Sequence, residues 1–553
     1  MTWTTHDVHN TVPALQDINL FTTDTALQEA VQRADGGAHA AGLSAYGERL
    51  GSAATMQLAA DANRFKPELQ AFDAAGHRID QVVFHPAWHA LMRMQREQGL
   101  ISMPFSDPRP GAWAAYAAAF SMHMQIEAGT QCPGSMTFAA IPVLQREPAL
   151  WALLQDKLYS RVYDPGDRPV AHKAGVLVGM GMTEKQGGSD LRANTTRATP
   201  LGAGGRGGEY TLVGHKWFFS APQSDAHLVL AQAAEGLSCF YLPRFRPDGS
   251  RNAVRIQRLK NKVGNHSNAS AEVEFHDAWG VMVGEPGRGV PTLIEMATYT
   301  RLNCVMGSAG LMRQALVQAL HHARHREAFG QRLIDQPLMR NVLADMALES
   351  EAATQLMMRL TQSFAAPAGG LVERALQRIV TPAAKFWLAK RSIELGAEAM
   401  EVWGGNGYVE DGPMGRLYRE MPVISIWEGS GNVMCLDMLR AIAREPDALL
   451  TLLDHIGELL ASDPVPERAL AALRLALGSV AAVAQRESCA RRWAQQLVLL
   501  LQAGLLRAHA PLAVADGFIA SRFDGQWGRV FGGLPDRAGH QQGGVLERAW
   551  AGD

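Results

Sequence analysis

One stretch of the 553-residue chain is more informative than any other, and it reads Gly181-Met182-Thr183-Glu184-Lys185-Gln186-Gly187-Gly188-Ser189-Asp190. It closely follows a strand-like run at residues 176–178. Its glycines let the backbone approach a flat ring or a phosphate, and the hydroxyls of Thr183 and Ser189 can donate hydrogen bonds to such a ligand. The stretch therefore indicates either a ligand-binding loop or an ordinary β-turn.

The region around this stretch has the pattern of an antiparallel β domain. Short β-prone runs, separated by Gly, Pro and Asn clusters, lie at residues 176–178, 210–213, 227–230, 239–242 and 271–275. We predict a sandwich or barrel over residues 174–280. Residues 202–207 match the G-x-G-x-x-G pattern of dinucleotide-binding loops, but they lie between two strand patterns and open no helix. A hairpin loop is therefore expected there.

Helical sequence flanks the β domain on both sides. Residues 1–173 are predicted to form an extended arm followed by a helical domain, and apolar residues recur at helical spacing after Gly289. Prolines follow Asp335 and Thr381 at positions that suit a first helical turn. We predict a second helical domain over residues 281–444 and a helical extension over residues 445–553, which gives an α+β fold class.

The composition excludes several classes of protein. Fifty-two basic residues face 54 acidic ones, so the net charge of −2 excludes a uniformly basic coat for nucleic acid. The five cysteines form no C-x-x-C pair, so neither a disulfide framework nor a zinc site is indicated and no metal is predicted. We recognise no signal peptide and no membrane-spanning stretch. A cytoplasmic protein without a membrane partner is therefore expected.

Two further motifs suit a flat, charged ligand but have ordinary explanations as well. The first reads Gly214-His215-Lys216-Trp217-Phe218-Phe219-Ser220, in which aromatic rings could stack on a ligand or could belong to the core. The second reads Glu401-Val402-Trp403-Gly404-Gly405-Asn406-Gly407-Tyr408, in which the glycines could meet a diphosphate or could end a helix. Neither motif is decisive alone.

A fourth motif offers a candidate base and reads Ser425-Ile426-Trp427-Glu428-Gly429-Ser430-Gly431-Asn432. A carboxylate between apolar residues and a tight glycine loop fits a desolvated base with a raised pKa. Glu428 could equally be a carboxylate that interacts favourably with the N-terminus of the following helix. The motif alone leaves both interpretations open.

Together the four motifs resemble the acyl-CoA dehydrogenase family of flavoproteins. The first and third agree with the family's two signature patterns in sequence and spacing, and the α-β-α order over about residues 60–445 is similar to its architecture. The remaining features, including the N-terminal arm and the extension after residue 445, are similar to its AidB-like subgroup, which is linked to the alkylation response. The resemblance implies an N-terminal helical domain, a central antiparallel β domain, a C-terminal helical bundle and bound FAD.

The resemblance also implies the chemistry. In this family a carboxylate takes the α-proton of an acyl-CoA thioester while a hydride passes from Cβ to the flavin N5. The base must lie close to Cα in a largely dry site. Glu428 occupies the commonest family position for this base, and Glu295 is a second candidate because some members place the base on an earlier helix.

Contacts with the cofactor are implied in the same way. The residues expected at the isoalloxazine ring are Met182, Thr183, Ser189, Trp217, Phe218 and Ser220. Those expected at the diphosphate and adenine are Arg326, Phe329 and Gln336, while those completing the pocket near the base are Gly429, Ser430 and Asn432. The residues expected from a neighbouring subunit are Glu401, Gly404, Gly405 and Gly407. We therefore expect a homotetramer, with the small residues 307–310 packing closely near an interface.

Three functions stay open on the sequence. The first is a dehydrogenase acting on a small acyl-CoA, and the second is a DNA-associated flavoprotein of the alkylation response with little or no acyl-CoA turnover. The third is a flavin oxidase that passes electrons to oxygen. Double-stranded DNA would be bound without sequence preference by arginines of the C-terminal extension, namely Arg468, Arg474, Arg486, Arg491, Arg492 and Arg507.

Overall fold

The computed structural model of the chain describes residues 3–365, 369–461, 463–478, 487–523, 528, 531 and 542–550. The chain divides into two compact units. The bundle unit comprises Met1–Ala53, Trp113–Gln125 and Cys304–Asp553, and the sheet unit comprises Ala54–Ala112 and Ile126–Asn303. The domain boundaries predicted at residues 173, 280 and 444 stay a proposal.

Helices make up most of the described chain. In chain order they are α1 Thr25–Arg33, α2 Ala40–Gly51, α3 Ala53–Arg64, α4 Pro86–Gln98, α5 Met103–Ser106, α6 Ala112–Ile126, α7 Gln131–Leu144, α8 Pro148–Tyr159, α9 Gly289–His325, α10 Pro337–Ala365, α11 Leu371–Ala375, α12 Thr381–Val402, α13 Met414–Ile424, α14 Gly431–Arg444, α15 Pro446–Leu460, α16 Pro464–Leu477, α17 Ala490–His509, α18 Leu512–Phe523 and α19 Gln542–Ala549. The predicted helix starts are confirmed, since Pro337 opens α10 and Pro382 lies in the first turn of α12.

The strands lie mainly in the sheet unit. In chain order they are β1 Glu68–Phe72, β2 Arg78–Val83, β3 Val178–Gly181, β4 Arg197–Pro200, β5 Glu209–Ser220, β6 Ala226–Ala233, β7 Gly236–Pro243, β8 Val254–Leu259, β9 Ser270–Val283, β10 Glu327–Ala328 and β11 Gln331–Arg332. The α+β class is confirmed. The β1–β2 hairpin lies within residues 1–173, where we had expected an extended arm followed by helices and no strands were predicted.

The seven-stranded sheet closes on itself. Its strand order is β3-β6-β4-β5-β9-β7, with β8 paired to β9, and an additional β6–β7 pairing completes a ring. Of the two expected architectures, the barrel is therefore observed. The predicted antiparallel β domain is confirmed, although β3 and β4 both pair with β6 in parallel. The 202–207 stretch joins the antiparallel pair β4–β5, which confirms a hairpin loop.

Small residues of α9 allow a close helix approach inside the bundle unit. A Cβ at Gly310 would lie 2.3 Å from the Ser121 carbonyl oxygen on α6, and one at Gly307 would lie 3.0 Å from Met124 Cε. The close packing expected for residues 307–310 therefore occurs, but within one chain. The short distance to the Ser121 carbonyl oxygen excludes any side chain at position 310.

The C-terminal extension is an integral part of the bundle unit. Arg522 of α18 is fully buried and forms hydrogen bonds with Asp345 and Glu349 of α10. Buried charges of this kind need their partners, since an unpaired charge is strongly disfavoured in the interior. In the described part of the chain, no helix is long and apolar enough to cross a membrane. The cytoplasmic location stays a prediction.

Candidate functional site

Two of the quoted motifs meet in the sheet unit. The backbone N–H of Trp217 donates to the Thr183 carbonyl oxygen at 2.9 Å, and Asn194 Nδ2 donates to the Met182 carbonyl oxygen at 2.9 Å. The loop after β3 is thereby held against β5 although 34 positions separate Thr183 from Trp217 in sequence. Three predicted ligand-binding residues, Met182, Thr183 and Trp217, are therefore brought together.

A buried ion pair reinforces this junction. Glu184 Oε1 lies 2.8 Å from Lys216 Nζ, and neither side chain is exposed. Glu184 also accepts hydrogen bonds from the backbone and hydroxyl groups of Thr195 and Thr196. Burial would raise the pKa of Glu184, but Lys216 and these donors hold it well below its ordinary value. From the sequence, no role was assigned to these two charged residues. The two-residue alternation of β5, counted from the buried Tyr210, could have predicted that Lys216 faces inward.

The glycine loop leaves bare backbone beside its hydroxyls. Around Gly187, whose φ is +145°, nothing lies within 4 Å of the position that a Cβ would occupy. At Gly188 a Cβ would lie 2.3 Å from Thr183 Oγ1, so any larger residue would displace that hydroxyl. Ser189 is exposed. The loop therefore offers an accessible hydroxyl and an open strip of main chain to a ligand.

The aromatic run on β5 divides between surface and core. Phe218 is 55% exposed and Trp217 is half-buried, with Lys260 Nζ lying 3.3 Å from the Trp217 ring centroid. Phe219 is buried and stacks on His227 at 3.8 Å. Phe218 and Trp217 are thus available to a ligand, whereas Phe219 belongs to the core.

The backbone of Ser220, the last residue of β5, is bound by a buried histidine. The His227 Nε2–H donates to the Ser220 carbonyl oxygen at 3.1 Å. Burial lowers the pKa of His227 to about 3, so its ring is neutral at physiological pH. Because the hydrogen bond uses the carbonyl, the half-buried Ser220 hydroxyl stays available for a ligand.

In the bundle unit, three predicted residues lie on one corner between α9 and α10. The β10–β11 hairpin turns at Phe329 and Gly330, with φ values of +54° and +76°. Gln336 Nε2 donates to the Ala328 carbonyl oxygen at 3.0 Å. Phe329 is fully exposed in spite of its strained backbone, and Arg326 directly precedes β10. Strain and exposure together are typical of a contact residue.

The N-terminal arm is bound to this hairpin. Asn10 forms two hydrogen bonds of 2.8 Å with the backbone of Glu327, and the Asn10 carbonyl accepts a hydrogen bond from Arg326. Further along the arm, the Pro13 carbonyl oxygen lies 2.9 Å from His321 Nε2. The sequence predicted an extended arm but not its partner.

The glycine-rich loop after α12 begins with the glycine that ends the helix, since Gly404 directly follows the C-cap residue with a φ of +61°. The C-cap is Trp403, in a right-handed conformation, and Trp403 Nε1 donates to the Gln318 carbonyl oxygen at 3.0 Å. Glu401, Gly404 and Gly405 are exposed. A Cβ at Gly407 would lie 2.2 Å from the Met400 carbonyl oxygen, so this glycine serves the loop's own packing. The other three residues are free to meet a second molecule.

Glu428 lies in a tight turn between α13 and α14. Its φ is +58°, Gly429 follows with φ +113°, and its side chain is half-buried. Ser430 is the N-cap of α14, and its exposed side chain makes no capping hydrogen bond. Asn432 is also exposed. The fourth motif thus places a carboxylate, a hydroxyl and an amide at one helix start.

Glu295, the second candidate base, is already engaged. Both of its carboxylate oxygens accept hydrogen bonds from Arg146, one of them at 2.5 Å. A guanidinium that binds both oxygens of a carboxylate with two hydrogen bonds holds that carboxylate in a fixed geometry. Glu295 is thus bound to Arg146, and Glu428, at the position that the resemblance implies, stays the proposed base.

Acidic partners occupy two of the arginines predicted to contact DNA. Arg474 pairs with Asp454, and Arg507 pairs with both Asp463 and Asp516. The Arg491 guanidinium lies 5.4 Å from the Phe386 ring centroid. Arg468 and Arg492 are exposed, while Arg486 lies outside the described residues. No cluster of three or more His, Cys, Asp or Glu residues suitable for a metal ion occurs in the described part of the chain.

Three family models match successive parts of the chain. Residues 10–165 match the N-terminal domain of the adaptive response protein AidB. Residues 179–278 and 287–443 match the middle and C-terminal domains of acyl-CoA dehydrogenase.

Known proteins share both sequence and fold with the chain. It is 48% identical to the putative acyl-CoA dehydrogenase AidB of Escherichia coli over 90% of this chain and 91% of that protein. The Caenorhabditis elegans ACDH-11 structure, solved in complex with C11-CoA, superposes with a TM-score of 0.85 at 26% identity, covering 99% of this chain and 97% of that one. An acyl-CoA dehydrogenase from Bacillus anthracis, solved with FAD, has the same fold at 18% identity, with a TM-score of 0.63 and coverage of 84% and 82%.

Proposed function

The chain belongs to the acyl-CoA dehydrogenase family, is of the AidB kind and is FAD-dependent, and on this basis we propose that it oxidises the Cα–Cβ bond of an acyl-CoA with Glu428 as the base. The observation that carries the proposal is the turn at Glu428. A half-buried carboxylate stands there on a left-handed residue, followed by the exposed Ser430 and Asn432. Residues held in such rare conformations are concentrated at functional sites.

The residues of the sheet unit suit the flavin ring. Phe218 and Trp217 offer aromatic surface, and Thr183, Ser189 and Ser220 offer hydroxyl donors to the polar edge of the ring. The open main chain at Gly187 allows close approach of the ring. We assign the isoalloxazine contacts to this group together with Met182.

The residues of the bundle unit suit the rest of the cofactor. We assign the diphosphate and adenine end to Arg326, Phe329 and Gln336, since a guanidinium is a strong donor to phosphate oxygens. We assign Glu401, Gly404 and Gly405 to the cofactor of a neighbouring subunit, and we assign Gly407 to the packing of their loop. Exposed backbone at Gly404 and Gly405, with nothing within 4 Å of a Cβ position, supports this assignment.

The reaction needs a base for the α-proton and an acceptor for the hydride. Glu428 takes the α-proton of the thioester, and Gly429, Ser430 and Asn432 complete the wall around the carboxylate. FAD, when bound by the residues assigned above, would supply the acceptor for the hydride from Cβ, and the product would be the α,β-unsaturated thioester. Removal of water around Glu428 by the bound substrate would bring the basicity of the carboxylate closer to that of the α-carbon.

We also propose that the protein is a homotetramer. Large apolar side chains are exposed around the assigned residues of the bundle unit, and they are Phe329, Leu338, Tyr408, Val409 and Ile426. Large apolar side chains that are exposed on a single chain are the kind that the interfaces of homo-oligomers bury. Burial between subunits would remove them from water.

Anaerobic reduction of the purified protein tests the proposed chemistry. A panel of saturated acyl-CoAs from C4 to C12 is added, with C11-CoA included because the nematode protein was solved with it. Bleaching of the flavin with formation of the 2-enoyl-CoA is the expected result. Oxygen consumption after admission of air distinguishes an oxidase from a dehydrogenase. Bleaching by none of the thioesters would contradict the proposal.

A second proposal concerns sequence-independent contact with DNA phosphates as part of an alkylation response. Arg468 and Arg492 support it, because both side chains are exposed on the C-terminal extension. Each neutralised phosphate contributes about −0.9 to the slope of log affinity against log salt. Duplex binding is measured against salt for the full chain and for Arg468→Ser/Arg492→Ser. An unchanged slope would place the contact elsewhere, and no binding at low salt would refute this proposal.

A further inference from the structure

Lys385 is a buried lysine that points at the turn containing the candidate base. It lies near the start of α12 and is 1% exposed. Its Nζ donates to the carbonyl oxygens of Trp427 at 2.8 Å and of Gly429 at 2.5 Å. These two carbonyls belong to the residues on either side of Glu428. The ammonium therefore bridges the two backbone carbonyls that flank Glu428.

The turn has a backbone that needs such support. Glu428 adopts a left-handed φ of +58°, a conformation that residues with a side chain seldom adopt. Gly429 follows with a φ of +113°, a conformation that side-chain-bearing residues rarely adopt, so this position favours glycine. Strained residues persist only where their surroundings hold them. Lys385 supplies two charge-assisted hydrogen bonds of the strong type to this short segment.

We propose that Lys385 is a positioning residue, which holds the carbonyls of Trp427 and Gly429 and thereby sets the direction in which the Glu428 carboxylate leaves the backbone. The inference rests on the proposed role of Glu428 as the base. Lys385 has no direct part in proton transfer. Without Lys385, the Glu428 carboxylate would still be present but would be displaced from its position. A displacement of about 1 Å can lower the reaction rate about 10²-fold.

The helix that carries Lys385 also carries a second assigned group. Lys385 stands one turn into α12, and Glu401 stands at the other end of the same helix. A rigid helix therefore connects the turn of the base to the loop assigned to the neighbouring subunit's cofactor. The position of Lys385 is therefore fixed by the same helix that carries Glu401.

Two variants and a matched control test the proposal on the holoenzyme. Lys385→Met keeps most of the length of the side chain and removes its hydrogen-bond donors, whereas Lys385→Arg keeps donors. Lys390→Met is the control, since it lies on the same helix and is half-buried but holds no part of the turn. FAD content and thermal unfolding are measured first, so that a misfolded variant is recognised.

Hydrogen–deuterium exchange then reports on the turn without any need for turnover. We expect faster exchange over residues 425–433 in Lys385→Met, with the rest of the chain and the Lys390→Met control unchanged. If exchange over residues 425–433 equals that of the wild type in the folded Lys385→Met protein, the lysine does not hold the turn and the proposal is refuted. If Lys385→Met does not fold, exchange is measured in Lys385→Arg instead. We expect exchange over residues 425–433 in Lys385→Arg to be as slow as in the wild type. Faster exchange there would overturn the proposal.

Anaerobic reduction by the acyl-CoA that reduces the wild type fastest gives the second readout. Lys385→Met is expected to be reduced about 10²-fold more slowly, with an unchanged dissociation constant for that acyl-CoA, because the base is misplaced while the binding surface is kept. Wild-type rates in Lys385→Met would refute the positioning role. If no acyl-CoA reduces the wild type, the proposed function fails, and the exchange measurement still decides whether Lys385 holds the turn.

Discussion

Asn10 and Glu327 form a pair of reciprocal hydrogen bonds, each 2.8 Å long, in which the Asn10 amide matches the backbone N–H and carbonyl of Glu327. The two residues are 317 positions apart. The pairing fixes the N-terminal arm along β10, next to Arg326 and the exposed Phe329. The arm thereby supports the hairpin that we assign to the diphosphate and adenine of FAD.

Asn10→Ala is expected to weaken FAD binding. The variant loses two backbone contacts, and a typical hydrogen bond contributes about 0.5–1.5 kcal/mol, so the dissociation constant should rise about tenfold. FAD titration of the apoprotein, followed by flavin fluorescence, measures it. His9→Ala is the control in the same arm, since its ring bonds only to the nearby Asp7 carbonyl. Equal affinities in both variants would show that the arm does not support the hairpin.

Glu184→Gln is expected to lower the free energy of unfolding by about 3–5 kcal/mol, because it leaves the buried Lys216 ammonium without its charged partner. Urea unfolding measures the loss, with the exposed Glu235→Gln on the same unit as the control. The double variant Glu184→Gln/Lys216→Met should regain part of the stability, since no unpaired charge remains. A double variant less stable than Glu184→Gln would contradict this account.

The same ion pair predicts an acid-sensitive fold. The pKa of Glu184 is below its ordinary value of 4.5 in the folded chain, so the unfolded chain binds the proton more readily. The stabilisation is therefore present above about pH 4.5 and is lost as the pH falls below it. The melting temperature of the wild type should fall more steeply from pH 5 to pH 3 than that of Glu184→Gln. Parallel curves would show that Glu184 is not the group responsible.

Glu428→Gln is expected to keep FAD and to lose reduction by acyl-CoA. Gln preserves the shape of the side chain, and the loss of a general base typically costs about 10²–10⁴ in rate. Stopped-flow bleaching measures the rate, and Glu487→Gln on the C-terminal extension is the control. A rate close to that of the wild type would assign the base to another residue and leave Glu428 a structural role at the start of α14.

Light scattering is expected to give a particle of four chains, that is, four times the 59.9 kDa of one chain. Leu338→Asp should shift the particle to a smaller mass, because a charge would replace an apolar side chain that is 84% exposed in the single chain. Leu475→Asp, at a leucine that is 87% exposed on the C-terminal extension, is the control. A monomer with tightly bound FAD would contradict the tetramer.

Local patterns predicted the elements around the site well. Proline at the start of α10 and α12, and the hairpin at residues 202–207, depend on residues close together in the chain, and each was confirmed. The β1–β2 hairpin was missed, although β1 runs from Glu68 to Phe72 as an alternating strand. Its exposed positions carry apolar as well as polar side chains, so the two-residue period is hard to see in the sequence. The parallel partner of β4 was missed because strand pairing is not a local property.

The contiguous motifs of the sequence were sufficient for the family, the fold class, the cofactor and the choice of Glu428 as candidate base, since each motif places its ligand-binding groups within a few residues. The tertiary structure alone showed which groups hold those motifs in place. Lys385 contacts a turn 42 positions away, and Arg522 meets Asp345 across 177 positions. Such contacts depend on how distant segments pack, and burial makes them strong. No short-range pattern encodes the distance between two residues that only the folded chain brings together.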